Sequence, residues 1–148
     1  MSCGLSRVVG CRDVPQRDLM RVMVAKRPLI LLLEDDSASA EAMQLVLRDW
    51  GAEVVHGADA DDVSCAAGSR TEQARVIITD FHLTETDGVS AAKQLRKRAT
   101  GAKVLVLSGS LSSDAKHAAK GAGYAFMQKP APARDLIAWL ERTSIPAE

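Results

Sequence analysis

The chain has 148 residues, of which 47% are hydrophobic and 26% charged, enough apolar material for one domain with its own core. Nineteen basic residues balance nineteen acidic ones, which gives no overall field favouring nucleic acid or an anionic membrane. The three cysteines, Cys3, Cys11 and Cys65, are odd in number and form no CxxC pair, which excludes a disulfide framework or a zinc finger and fits a reducing cytoplasm.

Residues 1–27 carry six basic and two acidic side chains and read as a flexible N-terminal extension. They hold no continuous apolar stretch followed by a small-residue cleavage site. Pro28 opens the folded part, because proline biases the preceding residue toward extended geometry. From there to residue 143, short apolar runs alternate with helical patterns. Leu29 to Leu33 is the first strand, and the longest apolar run, PLILLL, is too short to span a bilayer and is closed at once by three acids. A helix follows over Ala38 to Trp50, then a strand at Val54 and Val55 and a helix from Asp59 to Ala67. Val76 to Thr79 is the third strand, followed by a helix over Val89 to Arg98. Val104 to Leu107 is the fourth strand, with a helix over Ser112 to Lys120, and Tyr124 to Met127 is the fifth, with a last helix over Pro132 to Arg142. Residues 144–148 form a short tail. This alternation predicts an α/β fold with a five-stranded, doubly wound parallel sheet.

In such folds ligands gather beyond the carboxyl ends of the strands. The first strand there runs into Glu34, Asp35 and Asp36, the third into Asp80, the fourth into Ser108 and the fifth into Lys129 and Pro130. Carboxylates held close together disfavour one another's ionised form unless a cation offsets them, and Mg²⁺ suits oxygen ligands shared with phosphate. Asp80 is then the candidate nucleophile for a phosphoryl group. Asp35 is a direct metal ligand, Glu34 acts through a metal-bound water, and Asp36 caps the first helix. Ser108 offers a hydroxyl to one phosphoryl oxygen and Lys129 an ammonium to another. Taken singly, each has a plainer explanation: a solvated acidic turn, a turn serine, a surface lysine. Their joint occurrence at successive strand ends favours the shared site.

The segments LLLEDD, TDFHLTETDG, VLSGS and MQKPAPA resemble, in that order, the motifs of the receiver domain of two-component response regulators over about residues 28–143. The resemblance implies a flavodoxin-like fold of five βα units that stands alone, because six residues after Arg142 leave no room for an output domain. It implies phosphorylation of Asp80 and Mg²⁺ held by Asp35, Asp80 and the backbone carbonyl of His82. A Lys129-Pro130 bond that is often cis is also implied, and a switch made of Ser108 and an aromatic, Phe126, with Tyr124 as the alternative. The implied partners are a histidine kinase or histidine phosphotransfer protein and a downstream protein target, with no nucleic acid or membrane, for a monomer or weak dimer that catalyses only its own phosphorylation and dephosphorylation. Thr84 stands where the pattern has proline, which predicts a less rigid loop.

A haloacid-dehalogenase-like phosphatase is a competing reading, but its nucleophile ends the first strand and a second acid follows two residues later, where this chain has His82. A receiver-like interaction module that never takes phosphate is another. His82 and His117 belong to no transition-metal spacing and are expected to be exposed. The group Lys93, Arg96, Lys97 and Arg98 reads as the wet face of a helix, and Cys65 as a packing residue.

Overall fold

In a computed structural model, residues 27–111 and 113–143 are described. Residues 1–26 of the expected extension over 1–27, the tail after Thr143 and Ser112 lie outside them. Five strands, β1 Leu29–Leu33, β2 Glu53–Gly57, β3 Val76–Asp80, β4 Lys103–Ser108 and β5 Ala125–Gln128, form one sheet. All neighbours pair in parallel, in the order β2-β1-β3-β4-β5. Five helices connect or follow them: α1 Ser37–Trp50, α2 Ala60–Ala67, α3 Gly88–Arg96, α4 Asp114–Gly121 and α5 Ala133–Thr143. The doubly wound, flavodoxin-like fold expected from the sequence is the fold observed.

The strand sequences account for the layering. Every residue of β1 is buried, as a strand covered on both faces must be, whereas edge strand β5 is only half-buried. Along β1 the side chains alternate between two cores. Leu29, Leu31 and Leu33 pack with Val63 of α2, Leu95 of α3 and Ala119 of α4. Ile30 and Leu32 pack with Leu47 of α1 and with Leu136 and Leu140 of α5. The sheet order reverses direction between β1 and β3, so the carboxyl ends of these two neighbours form the switch-point crevice.

Helix ends follow local chemistry. Asp36 caps α1 by accepting the Ser39 amide at 2.8 Å, and Gly51, with φ of 118°, ends that helix in the left-handed conformation that glycine adopts at least cost. The Arg27 guanidinium donates from Nε to the Gly51 carbonyl at 3.1 Å and also bonds the Ala52 carbonyl, tying the entry of the domain to the turn after α1.

Several boundaries differ from expectation. β2 is five residues long because each of them pairs with β1, from Leu29 opposite Glu53 to Leu33 opposite Gly57, although only Val54 and Val55 signal a strand. A 3-10 turn over Gly68–Gln73, closed by the buried Thr71 hydroxyl on the Gly68 carbonyl, lies where the sequence pattern predicts no element. Pro132 precedes α5, where its carbonyl accepts from Asp135 and Leu136. Cys65 is exposed, contrary to the packing role expected: the inward stripe of α2 is Ala60, Val63 and Ala67, and Cys65 falls on the opposite face.

Leu31 is fully buried at the centre of the sheet while Leu45 on α1 is 66% exposed. Urea denaturation should therefore show Leu31→Ala losing about 2–5 kcal/mol, against less than about 0.5 kcal/mol for Leu45→Ala.

Candidate functional site

The acids after β1 meet the acid that ends β3. Oxygens of Glu34, Asp35 and Asp80 all lie within 4.8 Å of one another. Oxygens bound to one octahedral Mg²⁺ at about 2.1 Å are about 3 to 4.2 Å apart, so this set lies close to the spacing such an ion needs. The three differ in setting: Glu34 is buried, Asp80 half-buried and Asp35 exposed.

Glu34 is buried because the parallel pairing runs one residue past β1, its amide donating to the Gly57 carbonyl at 3.1 Å. Burying a carboxylate is costly unless it is paired. One of its oxygens accepts the Lys129 ammonium at 3.0 Å, and the other accepts the Asp36 amide at 3.2 Å. A ring nitrogen of His56 lies 2.7 Å from the Glu34 carbonyl.

Lys129 reaches Asp80 as well, at 3.4 Å. Burial, the largest single influence, would lower its pKa, but the hydrogen bond to Glu34 and the charges of Asp80 and Glu34 together outweigh it. The ammonium is held above the ordinary lysine range and stays charged at neutral pH. The Lys129-Pro130 peptide is cis, and the Lys129 amide donates to the Ser108 carbonyl at 2.8 Å, which fixes the lysine against the end of β4.

Ser108 closes β4 and is fully buried. Its hydroxyl oxygen accepts the Ser110 amide at 3.1 Å, a contact that does not itself use the hydroxyl proton. Gly109, whose added Cβ would approach only the Lys129 side chain, at 3.8 Å, walls the site lightly on this side.

The loop after Asp80 is folded back on itself. The Gly88 amide donates to the Phe81 carbonyl at 2.7 Å, and His82 bridges Asp87 in antiparallel fashion. Asp87 then caps α3 through the Ser90 amide and hydroxyl. Thr84, at the tip, donates to Asp35 Oδ2 at 2.5 Å, so the loop is tethered where proline would have stiffened it. Gly88 has no room for a side chain. A Cβ there would collide with the Asp80 carbonyl and lie 2.7 Å from the Thr79 hydroxyl, which itself bonds that carbonyl.

The structure thus brings Glu34, Asp35, Asp80 and Lys129 together and sets Ser108 at the adjoining strand end. Asp36 is turned away as a cap, its pKa lowered chiefly by the Ser39 amide. The His82 and His117 side chains are exposed. Phe126 and Tyr124 both pack, half-buried, against the core shared with α3 and α4. Of the basic group, Arg96 is half-buried, with Nη2 on the Thr100 carbonyl at 2.5 Å, and the other three are exposed. Three features went unread in the sequence. These are the direct pairing of Glu34 with Lys129, the Thr84 tether and the His56 contact. Only the arrangement of strand ends could have revealed them.

A crevice of three carboxylates at the switch point of a parallel sheet, two of them in contact with one lysine, marks a receiver-type α/β domain. The family described as response regulator receiver domain matches residues 30–141, and the chain belongs to it. It is 29% identical over 110 residues to the cell cycle transcriptional regulator CtrA of Caulobacter vibrioides, an alignment covering 74% of this chain and 47% of that protein. The chain therefore spans about half the length of the curated relative it matches. Its fold is similar to that of a CheY-like receiver domain protein from Methanospirillum hungatei, with a TM-score of 0.67 at 24% identity, covering 78% of this chain and 92% of that one. Vibrio cholerae chemotaxis protein CheY4 gives a TM-score of 0.68 at 23% identity, covering 79% and 98%. No helix among the described residues is long and apolar enough to cross a membrane.

The close approach at Gly88 gives a direct check. Gly88→Ala should cost about 1–3 kcal/mol through overpacking against Asp80, measured by denaturant unfolding, while Gly101→Ala, whose Cβ meets nothing within 4 Å, should not destabilise the chain.

Proposed function

We propose that this chain is the phosphoacceptor receiver of a two-component system, taking a phosphoryl group on Asp80 and passing the change on through protein contacts. The observation that carries this reading is the Lys129 ammonium lying 3.4 Å from Asp80, beside three clustered carboxylates. An ammonium there can neutralise one oxygen of an incoming phosphoryl group while leaving Asp80 ionised to attack.

Mg²⁺ would be held by Asp35, Asp80 and the backbone carbonyl of His82, with Glu34 acting through a bound water, and would supply the positive charge that three acids and a phosphoryl group require. The chain's own residues do the rest. A carboxylate oxygen of Asp80 forms the new bond to phosphorus as the bond to the imidazole nitrogen of a phosphohistidine breaks, and that nitrogen keeps the electron pair. Ser108 donates a hydrogen bond from its hydroxyl to a phosphoryl oxygen. Phe126, or Tyr124 beside it, responds to the movement of Ser108, and the surface of the last two strand-helix units shifts between two states. The donor is a histidine kinase or histidine phosphotransfer protein in the cytoplasm. The balanced net charge favours a protein as the target over nucleic acid or a membrane.

No observation favours the dehalogenase-like phosphatase. Incubation with acetyl phosphate and Mg²⁺ should add one phosphoryl group to the intact mass, and Asp80→Asn should remove the gain. Equal uptake by Asp80→Asn would place the acceptor elsewhere, and no uptake by the unsubstituted chain would favour a module that works without phosphate.

A further inference from the structure

We propose that Thr84 is the positioning residue for Asp35, holding this exposed carboxylate in the orientation that a divalent cation needs. The inference rests on the metal reading given above. Asp35 has no burial to fix it, and Glu34 and Asp80 repel it toward solvent. What opposes this is the Thr84 hydroxyl, donating to Oδ2 at 2.5 Å, within the short range of charge-assisted O–H···O⁻ bonds. That bond engages Oδ2 while a carboxylate oxygen of Asp35 lies within 4.8 Å of oxygens of Glu34 and Asp80.

Thr84 can do this because its own place is defined relative to Asp80. The loop that carries it is closed at its foot by the Gly88 amide on the Phe81 carbonyl and by the bridge between His82 and Asp87. The tether therefore links the acid after β1 to the loop that leaves the acid ending β3. A hydroxyl is suited to the task. It orders the carboxylate without adding the positive charge with which an ammonium or guanidinium would compete for the cation's place.

Calorimetric titration of the full chain with MgCl₂ tests the assignment, comparing unsubstituted protein with Thr84→Val, Thr84→Ala and Thr84→Ser. Removing the hydroxyl should weaken Mg²⁺ binding by about tenfold in both the valine and the alanine variant, whereas serine, which keeps the donor, should stay within about twofold. Two non-donor variants guard against a fault particular to either side chain, and near-ultraviolet dichroism confirms that each is folded. Valine and alanine variants binding as tightly as the unsubstituted chain, or more tightly, would overturn the proposal. So would a serine variant as weak as valine. If the unsubstituted chain takes up no Mg²⁺, the metal reading itself fails, an outcome distinct from the failure of Thr84 alone.

Discussion

The site depends on one ammonium shared by two carboxylates. Three parallel strands deliver their carboxyl ends to a common crevice, and the acids there would push apart if nothing opposed them. Lys129 opposes them from the end of β5, bonding buried Glu34 at 3.0 Å and standing 3.4 Å from Asp80. Removing the lysine would strand Glu34 as an uncompensated buried charge, which costs far more than loss of an exposed ion pair. Under the proposed function, an incoming phosphoryl group would take over part of this contact.

The scaffold brings the acids together. β1 and β3 are adjacent, paired from Ile30 opposite Val76 to Leu33 opposite Thr79, so the residues that follow them emerge side by side. Leucine and isoleucine side chains fill both faces beneath. Close packing at Gly88, with the Thr79 hydroxyl on the Asp80 carbonyl, holds the backbone of the candidate nucleophile.

Much of this was legible in the residues. Runs such as LILLL and VLVL have the length and composition of covered strands, and the polar residue ending each run marks the edge where the candidate site lies. Asp36 and Pro132 announce helix starts by their own chemistry. Features set by distant contacts were not legible. Thr84 bonds Asp35 across 49 positions and His56 meets Glu34 across 22, and neither pair has a local signature. Edge strand β2 owes its length to its partner, and the outward turn of Cys65 depends on which face α2 presents to the sheet. The loop expected to be less rigid carries a tether, because the hydroxyl that stands in place of proline bonds a carboxylate.

The most direct test of the shared-ammonium account is a crystal structure of the chain grown with Mg²⁺ and beryllofluoride, a mimic of the phosphoryl group. The account predicts the adduct on Asp80, the ion between Asp35 and Asp80, and the Lys129 ammonium within about 3 Å of a fluorine. An adduct on another carboxylate, or a Lys129 side chain directed away from Asp80, would contradict it.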